Sequence, residues 1–166
     1  EGNFSRLLSQ RSIHTIAADL DHNAVNQLYM GIKKKQETHL HPLILDLSNP
    51  APAIGVNNVE RGSFIERTST ILVMALAVMH HLCIGKNMLF EQAAEMFSRM
   101  GKWLVIEFVP KEDEKIKLML SGKKDIYQYY SEPAFVNAFE KYFSLIERKE
   151  ISNSQRILYL MNRHEK

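Results

Sequence analysis

Apolar runs of strand length alternate along this chain with amphipathic stretches of helical length, and the joints between them are short. Strands that are buried on both faces read as continuous apolar runs, and strand–helix–strand units form parallel pairs. The pattern therefore predicts an α/β fold around a mainly parallel sheet. A chain of 166 residues can bury a sizeable core within one domain, so we expect a single domain over residues 1–166.

The periodicity assigns each segment to an element. The predicted strands are His14–Leu20, Leu40–Leu47, Ile71–Ala77, Trp103–Val109, Ser144–Ile151 and Arg156–Asn162. The predicted helices are Phe4–Gln10, His22–Gln36, Asn87–Met100, Glu112–Leu120 and Glu132–Tyr142, and residues 48–67 are predicted to form a loop with a short helix. We expect Asp21 to cap the second helix, and Gly101 to end the third in a left-handed conformation.

The last two predicted strands are joined only by Ser152, Asn153 and Ser154. A parallel connection needs about a dozen residues or more, so these strands must form an antiparallel hairpin. A mostly parallel sheet that closes with one antiparallel hairpin is a specific architecture.

Composition excludes several classes of protein. A net charge of +2 does not favour nucleic acid as a partner, because such domains are usually strongly basic. The longest apolar run, Ile71–Met79, is too short to span a membrane. The single cysteine, Cys83, cannot form an internal disulfide, which favours a cytoplasmic location. The Cys and His spacing does not predict a metal site.

Polar residues occur where an open parallel sheet binds its ligand, beyond the carboxyl ends of the strands. Gly2 and Asn3 precede a helix N-terminus, and Asp19 and Asp46 end two successive predicted strands. The carboxylates can accept hydrogen bonds from ribose hydroxyls and from an adenine amine. Each feature also has a simpler structural interpretation, since Gly-Asn forms turns and either aspartate could cap the turn that follows it.

At these positions the sequence resembles the class I S-adenosylmethionine-dependent methyltransferases. EGNFSRLL resembles the second half of the first motif of that family, and TIAADLDHNAV, LILDLSNP, TILVMALAVMHHL and WLVIEFVPKED are similar to the motifs that follow, in the same order. The resemblance covers essentially the whole chain. A narrower likeness, in GVNNVERGSFIER, ALAVMHHLCI, IEFVPKED and SQRILYLMNR, is to a bacterial group of nodulation-protein-like methyltransferases.

The resemblance implies a Rossmann-like methyltransferase sheet and S-adenosylmethionine as the cofactor. The methionine part would lie at Gly2, the ribose at Asp19, the adenine at Asp46 with Leu47, and the sulfonium beside Ala75. The cofactor-binding residues that we expect are Gly2, Asn3, Phe4, Asp19, Leu20, Asp46, Leu47, Ala75 and Leu76.

The resemblance also implies that the first strand of the sheet, which precedes Gly2 in the family, is missing from this N-terminally incomplete domain. The strands His14–Leu20 and Ile71–Ala77 would then either pair directly or leave a gap that another chain fills. An unfilled strand edge favours self-association.

Methyl transfer requires alignment of the acceptor with an already activated methyl group, and a base only where the acceptor keeps its proton. The candidate bases are His80, His81 and Glu107. The histidines could instead be structural hydrogen-bonding groups, and Glu107 could point away from the site. Three tyrosines on a polar connection, Tyr127, Tyr129 and Tyr130, could shape an acceptor pocket or simply pack.

The acceptor is expected to be a small molecule or a carbohydrate- or lipid-linked one. The sequence lacks the Asn/Asp-Pro-Pro-aromatic segment that grips planar amines, and Cys83 has no preceding proline, which disfavours cytosine chemistry. Two other interpretations stay open. One is a degenerate or truncated domain that acts as a binding or scaffolding module. The other is a nucleotide-binding Rossmann oxidoreductase, which the tail hairpin and the His-His-Leu segment disfavour.

Overall fold

Each predicted strand is present in the structure, a computed structural model that describes residues 2–122 and 124–165. Contacts within the chain group its residues into two units, Glu1–Pro50 and Ala51–Lys166. The single domain expected over residues 1–166 stays a prediction.

The first unit is a parallel strand pair covered by helices. Its elements are α1 (Asn3–Ser9), β1 (Thr15–Asp19), α2 (His22–Lys35) and β2 (Leu40–Ile44). Leu28 and Ile32 of α2 pack with Leu40 to form its core. The predicted cap of α2 is confirmed, because the Asp21 carboxylate accepts hydrogen bonds from the Asn23 and Ala24 N–H groups at 2.8 and 3.4 Å.

The second unit contains a four-stranded sheet. Its strands are β3 (Thr70–Ala75), β4 (Gly101–Phe108), β5 (Phe143–Glu150) and β6 (Ile157–Arg163), and its α-helices are α3 (Phe64–Arg67), α4 (Phe90–Met100), α5 (Glu114–Leu120) and α6 (Glu132–Glu140). A 3₁₀ turn at Val56–Asn58 and a π-helix at His81–Gly85 were not predicted.

The strand order of that sheet is β3-β4-β6-β5. β3 and β4 are parallel, whereas β6 is antiparallel to both β4 and β5, so the predicted hairpin is confirmed. This order gives a mixed sheet with one parallel and two antiparallel pairs. Rings packed 4.5 to 5.6 Å apart form the core beside it, and they belong to Phe90, Phe108, Tyr130, Phe135, Phe139 and Tyr159.

β1 and β3 belong to separate sheets. Within the described residues, β1 pairs only with β2 and β3 pairs only with β4. Direct pairing of these two strands, one of the two expected outcomes, is therefore not found in the part of the chain that the structure describes. Apolar side chains on both strands are open to solvent, with Ile16 58% and Ile71 79% exposed.

The predicted left-handed conformation of Gly101 is wrong. Its φ of −154° and ψ of 165° are extended, and it is the first residue of β4. A Cβ at this position would lie 2.8 Å from Val73 Cγ2 and 3.0 Å from Thr70 Oγ1. Glycine is therefore required by the close approach of β3 and not by the end of α4.

Two other element boundaries differ from the predicted ones, because a residue near each has a positive φ. β3 ends at Ala75, two residues early, and Ala77 has left the extended region with a φ of 52°. α4 begins at Phe90 rather than Asn87, whose φ of 57° is not helical. In residues 2–122 and 124–165, no helix has both the length and the apolar character that a membrane crossing requires.

Candidate active site

Gly2 immediately precedes α1 in a left-handed conformation, with φ 70° and ψ 25°. A side chain there would be strained, and its Cβ would lie 2.8 Å from Leu28 Cδ1. Asn3 and Phe4 follow as the first residues of the helix. The sequence thus places a glycine where the backbone turn requires one, ahead of unpaired helix N–H groups.

Asp19 and Asp46 lie at the same end of the parallel pair. Asp19 is the last residue of β1, and the Leu45 N–H donates to its carbonyl at 3.0 Å, which sets the start of the Asp46 turn beside it. The two carboxyl-terminal strand ends therefore meet at one edge of the first unit. Leu20 and Leu47 follow the aspartates, Leu20 exposed and Leu47 half-buried.

Each of these carboxylates also orders the turn that follows it. Asp19 Oδ1 accepts a hydrogen bond from the Asp21 N–H at 3.0 Å. Asp46 Oδ1 accepts from the Ser48 N–H at 2.8 Å and from the Ser48 hydroxyl at 2.6 Å. The structural interpretation of both residues is therefore correct. These bonds also fix the direction of each carboxylate, so they do not argue against ligand binding.

In the second unit, the end of β3 carries the other expected cofactor residues. Ala75 is buried and Leu76 is half-buried. The next residue, Ala77, is left-handed, and its N–H donates to Glu107 Oε2 at 2.8 Å. The chain after β3 is thus held by a carboxylate from the neighbouring strand β4.

Glu107 is only 6% exposed, and its charge is paired. Arg156 Nη1 donates to Glu107 Oε1 at 3.1 Å, and Arg156 Nε donates to Asp113 Oδ2 at 2.7 Å. The hydrogen bond from Arg156 lowers the pKa of the Asp113 carboxyl below its ordinary value. One guanidinium therefore joins two carboxylates in a charged cluster beside the end of β3.

The two candidate histidines differ in their surroundings. His80 is 1% exposed, and its Nδ1 has no hydrogen-bond partner among the described residues. Burial, followed by the nearby charges of His81 and Arg156, lowers the pKa of His80 to about 4. His80 is therefore neutral at physiological pH and a weak proton acceptor. His81 is exposed, with its ring 4.2 Å from that of His80.

The tyrosine-rich connection is tied to the π-helix His81–Gly85. The Tyr127 hydroxyl donates to the Ile84 carbonyl at 3.0 Å and lies 2.7 Å from Asn87 Oδ1. The Tyr129 hydroxyl donates to the Cys83 carbonyl at 3.4 Å. Tyr130 donates instead to the Val109 carbonyl at 2.9 Å. These bonds give the tyrosines a structural role, because they satisfy backbone carbonyls.

Nucleophilic chemistry at Cys83 finds little support. Burial raises the pKa of the Cys83 thiol to about 12, and a thiol rather than a thiolate is a poor nucleophile. No group of three or more potential metal ligands was found in residues 2–122 and 124–165.

Sequence reasoning missed Ala77, Asp113 and Arg156. One signal was present: Glu107 is a lone acid within an apolar strand, and a buried carboxylate requires a cation or hydrogen-bond donors. That signal predicts that Glu107 has a cation or donor partner, but it does not identify the residue. Arg156 lies 49 residues away, and only the sheet order brings it to Glu107.

The chain is similar in sequence to nodulation protein NoeA from Rhizobium meliloti (strain 1021). The two are 34% identical over 165 residues, which cover 99% of this chain and 34% of NoeA. The chain thus spans about a third of the length of this relative. No protein-family model matches the chain.

Solved methyltransferase structures have a similar fold. The bifunctional kinase-methyltransferase WbdD has a TM-score of 0.61 and 16% identity, over 98% of this chain and 33% of WbdD. Magnesium protoporphyrin IX methyltransferase (ChlM) from Synechocystis PCC 6803, solved with bound SAH, has a TM-score of 0.60 and 15% identity, over 98% of this chain and 70% of ChlM.

A third similar structure is the PH0226 protein from Pyrococcus horikoshii OT3. Its TM-score is 0.63 and its identity 13%, over 98% of this chain and 77% of that protein. The resemblance seen in the sequence is therefore confirmed: the chain has the Rossmann-like fold of the methyltransferases and is similar, over nearly its whole length, to one third of nodulation protein NoeA.

Proposed function

We propose that this chain forms most of an S-adenosylmethionine-dependent methyltransferase domain. The observation that carries the proposal is the edge of the first unit where β1 and β2 end, with the carboxylates of Asp19 and Asp46. Ligands of open parallel sheets bind beyond the carboxyl ends of the strands. ChlM, which has the same fold, was solved with bound SAH.

The residues present fit an adenosyl cofactor. Gly2 adopts the left-handed turn that begins α1, where a side chain would be strained. The Asp19 carboxylate is exposed and can accept hydrogen bonds from both ribose hydroxyls. Ser48 fixes the direction of the Asp46 carboxylate, which can accept from the exocyclic amine of adenine. That Ala75 and Leu76 border the sulfonium stays a prediction from the resemblance.

The bound cofactor would supply an activated methyl group, so the protein has mainly to orient the acceptor and exclude water. The buried, neutral His80 and the exposed His81 follow β3 closely. Of the two, His81 is the residue that a methyl acceptor in solution can reach. We assign His81 the role of the base that removes the proton from an acceptor that is still protonated.

For the acceptor we propose a small molecule, or a molecule linked to a carbohydrate or lipid. The weakly basic charge balance argues against a nucleic acid, which usually requires a strongly basic face. We also propose a bacterial source and a cytoplasmic location, on the relative from Rhizobium and on the single, buried cysteine.

Calorimetric titration of the full-length protein with S-adenosylhomocysteine tests the cofactor assignment. We expect saturable binding that D19N weakens by about tenfold or more, because a charge-assisted hydrogen bond is lost. D21N is the matched control: it removes the same charge two residues away, and asparagine caps a helix as well as aspartate does. Absence of binding by the wild type would sink the cofactor proposal, and equal losses in both variants would remove Asp19 from the site.

The alternative is a domain that keeps the fold as a binding or scaffolding module. This alternative is supported by the hydrogen bonds through which Asp19 and Asp46 each order the turn that follows, because these bonds explain both residues without a ligand. A full-length protein that unfolds cooperatively but binds no S-adenosylhomocysteine would favour this alternative. A protein that instead binds a nicotinamide dinucleotide would be an oxidoreductase.

A further inference from the structure

We propose that Glu107 is a positioning residue, which acts with Arg156 to hold the backbone of Ala77 in the conformation that shapes the chain after β3. The contacts among these residues are observed within the second unit. Its consequence for the cofactor rests on the function proposed above.

Ala77 has a backbone conformation that it would not adopt unaided. Its φ of 52° lies in the left-handed region, where a Cβ is unfavourable and glycine is the usual residue. Such a conformation persists only where surrounding contacts impose it. The contact observed here is the hydrogen bond from the Ala77 N–H to Glu107 Oε2, at 2.8 Å.

Both oxygens of the Glu107 carboxylate have donors. Oε2 accepts from Ala77, and Oε1 accepts from Arg156 Nη1 at 3.1 Å. A buried carboxylate is stable only when it is paired and hydrogen-bonded, and this arrangement meets both conditions. Glu107 is thus engaged in holding the backbone, which is why we assign it positioning and not proton transfer.

Arg156 is itself fixed from the other side. Its Nε and Nη2 donate to the two oxygens of Asp113, at 2.7 and 3.3 Å. Asp113 also accepts from the Lys115 N–H at 2.9 Å as the cap of α5. The position of Ala77 is therefore set by a continuous series of bonds from the cap of α5, through Arg156 immediately before the hairpin strand β6, to Glu107 of β4.

The conformation of Ala77 matters because two expected cofactor-binding residues immediately precede it. Ala75 and Leu76 are the residues proposed to border the sulfonium, and a displacement of about 1 Å in such a segment can cost a large factor in rate. A rigid support behind the residues that touch a ligand keeps them in place. Glu107 would supply that support without touching the cofactor.

The first experiment needs no cofactor. NMR hydrogen exchange of the Ala77 amide is measured in the wild type and in E107Q, relative to amides of the β4–β6 ladder. We expect the Ala77 amide to exchange at least about tenfold faster in E107Q, because glutamine has only one acceptor oxygen and the charged Arg156 donor competes with Ala77 for it. E112Q, at an exposed glutamate outside the cluster, should leave the rate unchanged. An Ala77 rate that does not change in E107Q overturns the inference.

The second experiment separates positioning from general stability. S-adenosylhomocysteine affinity is measured for the wild type, E107Q, A77G and the double variant. Glycine adopts a positive φ without the cost that alanine carries, so A77G should remove the need for Glu107. We expect E107Q to weaken binding by about tenfold in the wild-type background and by less than about threefold in the A77G background. Equal losses in both backgrounds would mean that Glu107 acts through packing, and would overturn the inference.

R156K provides a second route if E107Q folds poorly. Lysine keeps the charge but cannot present the planar fork that reaches two carboxylates, so faster exchange at Ala77 is expected here too. Failure of the wild type to bind S-adenosylhomocysteine would count against the proposed function alone, and the exchange measurement would then decide the role of Glu107.

Discussion

The guanidinium of Arg156 lies 2.7 Å from the carboxylate of Asp113, with the arginine side chain only 20% exposed. The hydrogen bond from Arg156 lowers the pKa of Asp113, so this pair stabilises the fold above the unfolded pKa of about 3.9 and loses that effect as the pH falls through the folded value. We expect D113N to lower the free energy of unfolding by about 1–2 kcal/mol near neutral pH. Urea denaturation measures the difference, which should shrink below about pH 4.

Asparagine keeps the cap of α5, so D113N changes the contact with Arg156 and not the cap. A difference from the wild type that stays constant down to about pH 3 would show that the ion pair does not contribute.

His80 should make the fold sensitive to mild acid. Its folded pKa of about 4 lies below the ordinary value, so the stability it contributes is complete above about pH 6.5 and is lost as the pH falls towards 4. We expect the wild type to lose about 2 kcal/mol of unfolding free energy between about pH 7 and about pH 5 through this group alone. H80Q should lack this component, whereas H81Q should retain it. Parallel curves for the wild type and H80Q would contradict the prediction.

Tyr127 should contribute to stability through its hydroxyl. Y127F removes the donor to the Ile84 carbonyl and leaves that carbonyl without this partner, which should cost about 1–2 kcal/mol. The urea midpoint gives the measurement, with Y142F as a control at a half-buried tyrosine outside this contact. Equal effects of the two variants would mean that the hydroxyl does not hold the π-helix.

Two glycine substitutions should have opposite signs. A Cβ at Gly101 would lie 2.8 Å from Val73 Cγ2, so we expect G101A to destabilise the fold by about 1–3 kcal/mol. A Cβ at Gly31, within α2, meets only the end of the Arg6 side chain at 3.5 Å, so G31A should stabilise by about 0.5–1 kcal/mol. Thermal unfolding measures both. Adding V73A to G101A should restore part of the loss, and failure to do so would place the strain elsewhere.

Local patterns in the sequence were enough to predict the order of strands and helices. The three-residue joint Ser152–Ser154 forces the hairpin whatever the rest of the chain does, and the structure has it. Asp21 follows an apolar run and begins a helix, a local relationship that was also predicted correctly. Asp19 and Asp46 could be placed at strand ends for the same reason, while their role with a cofactor stays a prediction.

Features that depend on distant residues were not predicted. Gly101 looked like a helix end because its neighbours in sequence are helical, but the residue that requires it is Val73 on another strand. The left-handed Ala77 has no sequence signal, because its conformation is imposed by Glu107. The π-helix likewise has partners that the local sequence does not reveal, since tyrosines some 40 residues further along donate to its carbonyls.

Thiol labelling of Cys83 can report on local opening of the π-helix. The only cysteine in the chain is 0% exposed within the π-helix, and burial raises the pKa of its thiol to about 12. A thiol reagent can then react only when this segment opens, so the labelling rate at low denaturant reports the free energy of that local opening. Because Cys83 is the only thiol in these 166 residues, the chain gives this readout without an introduced label.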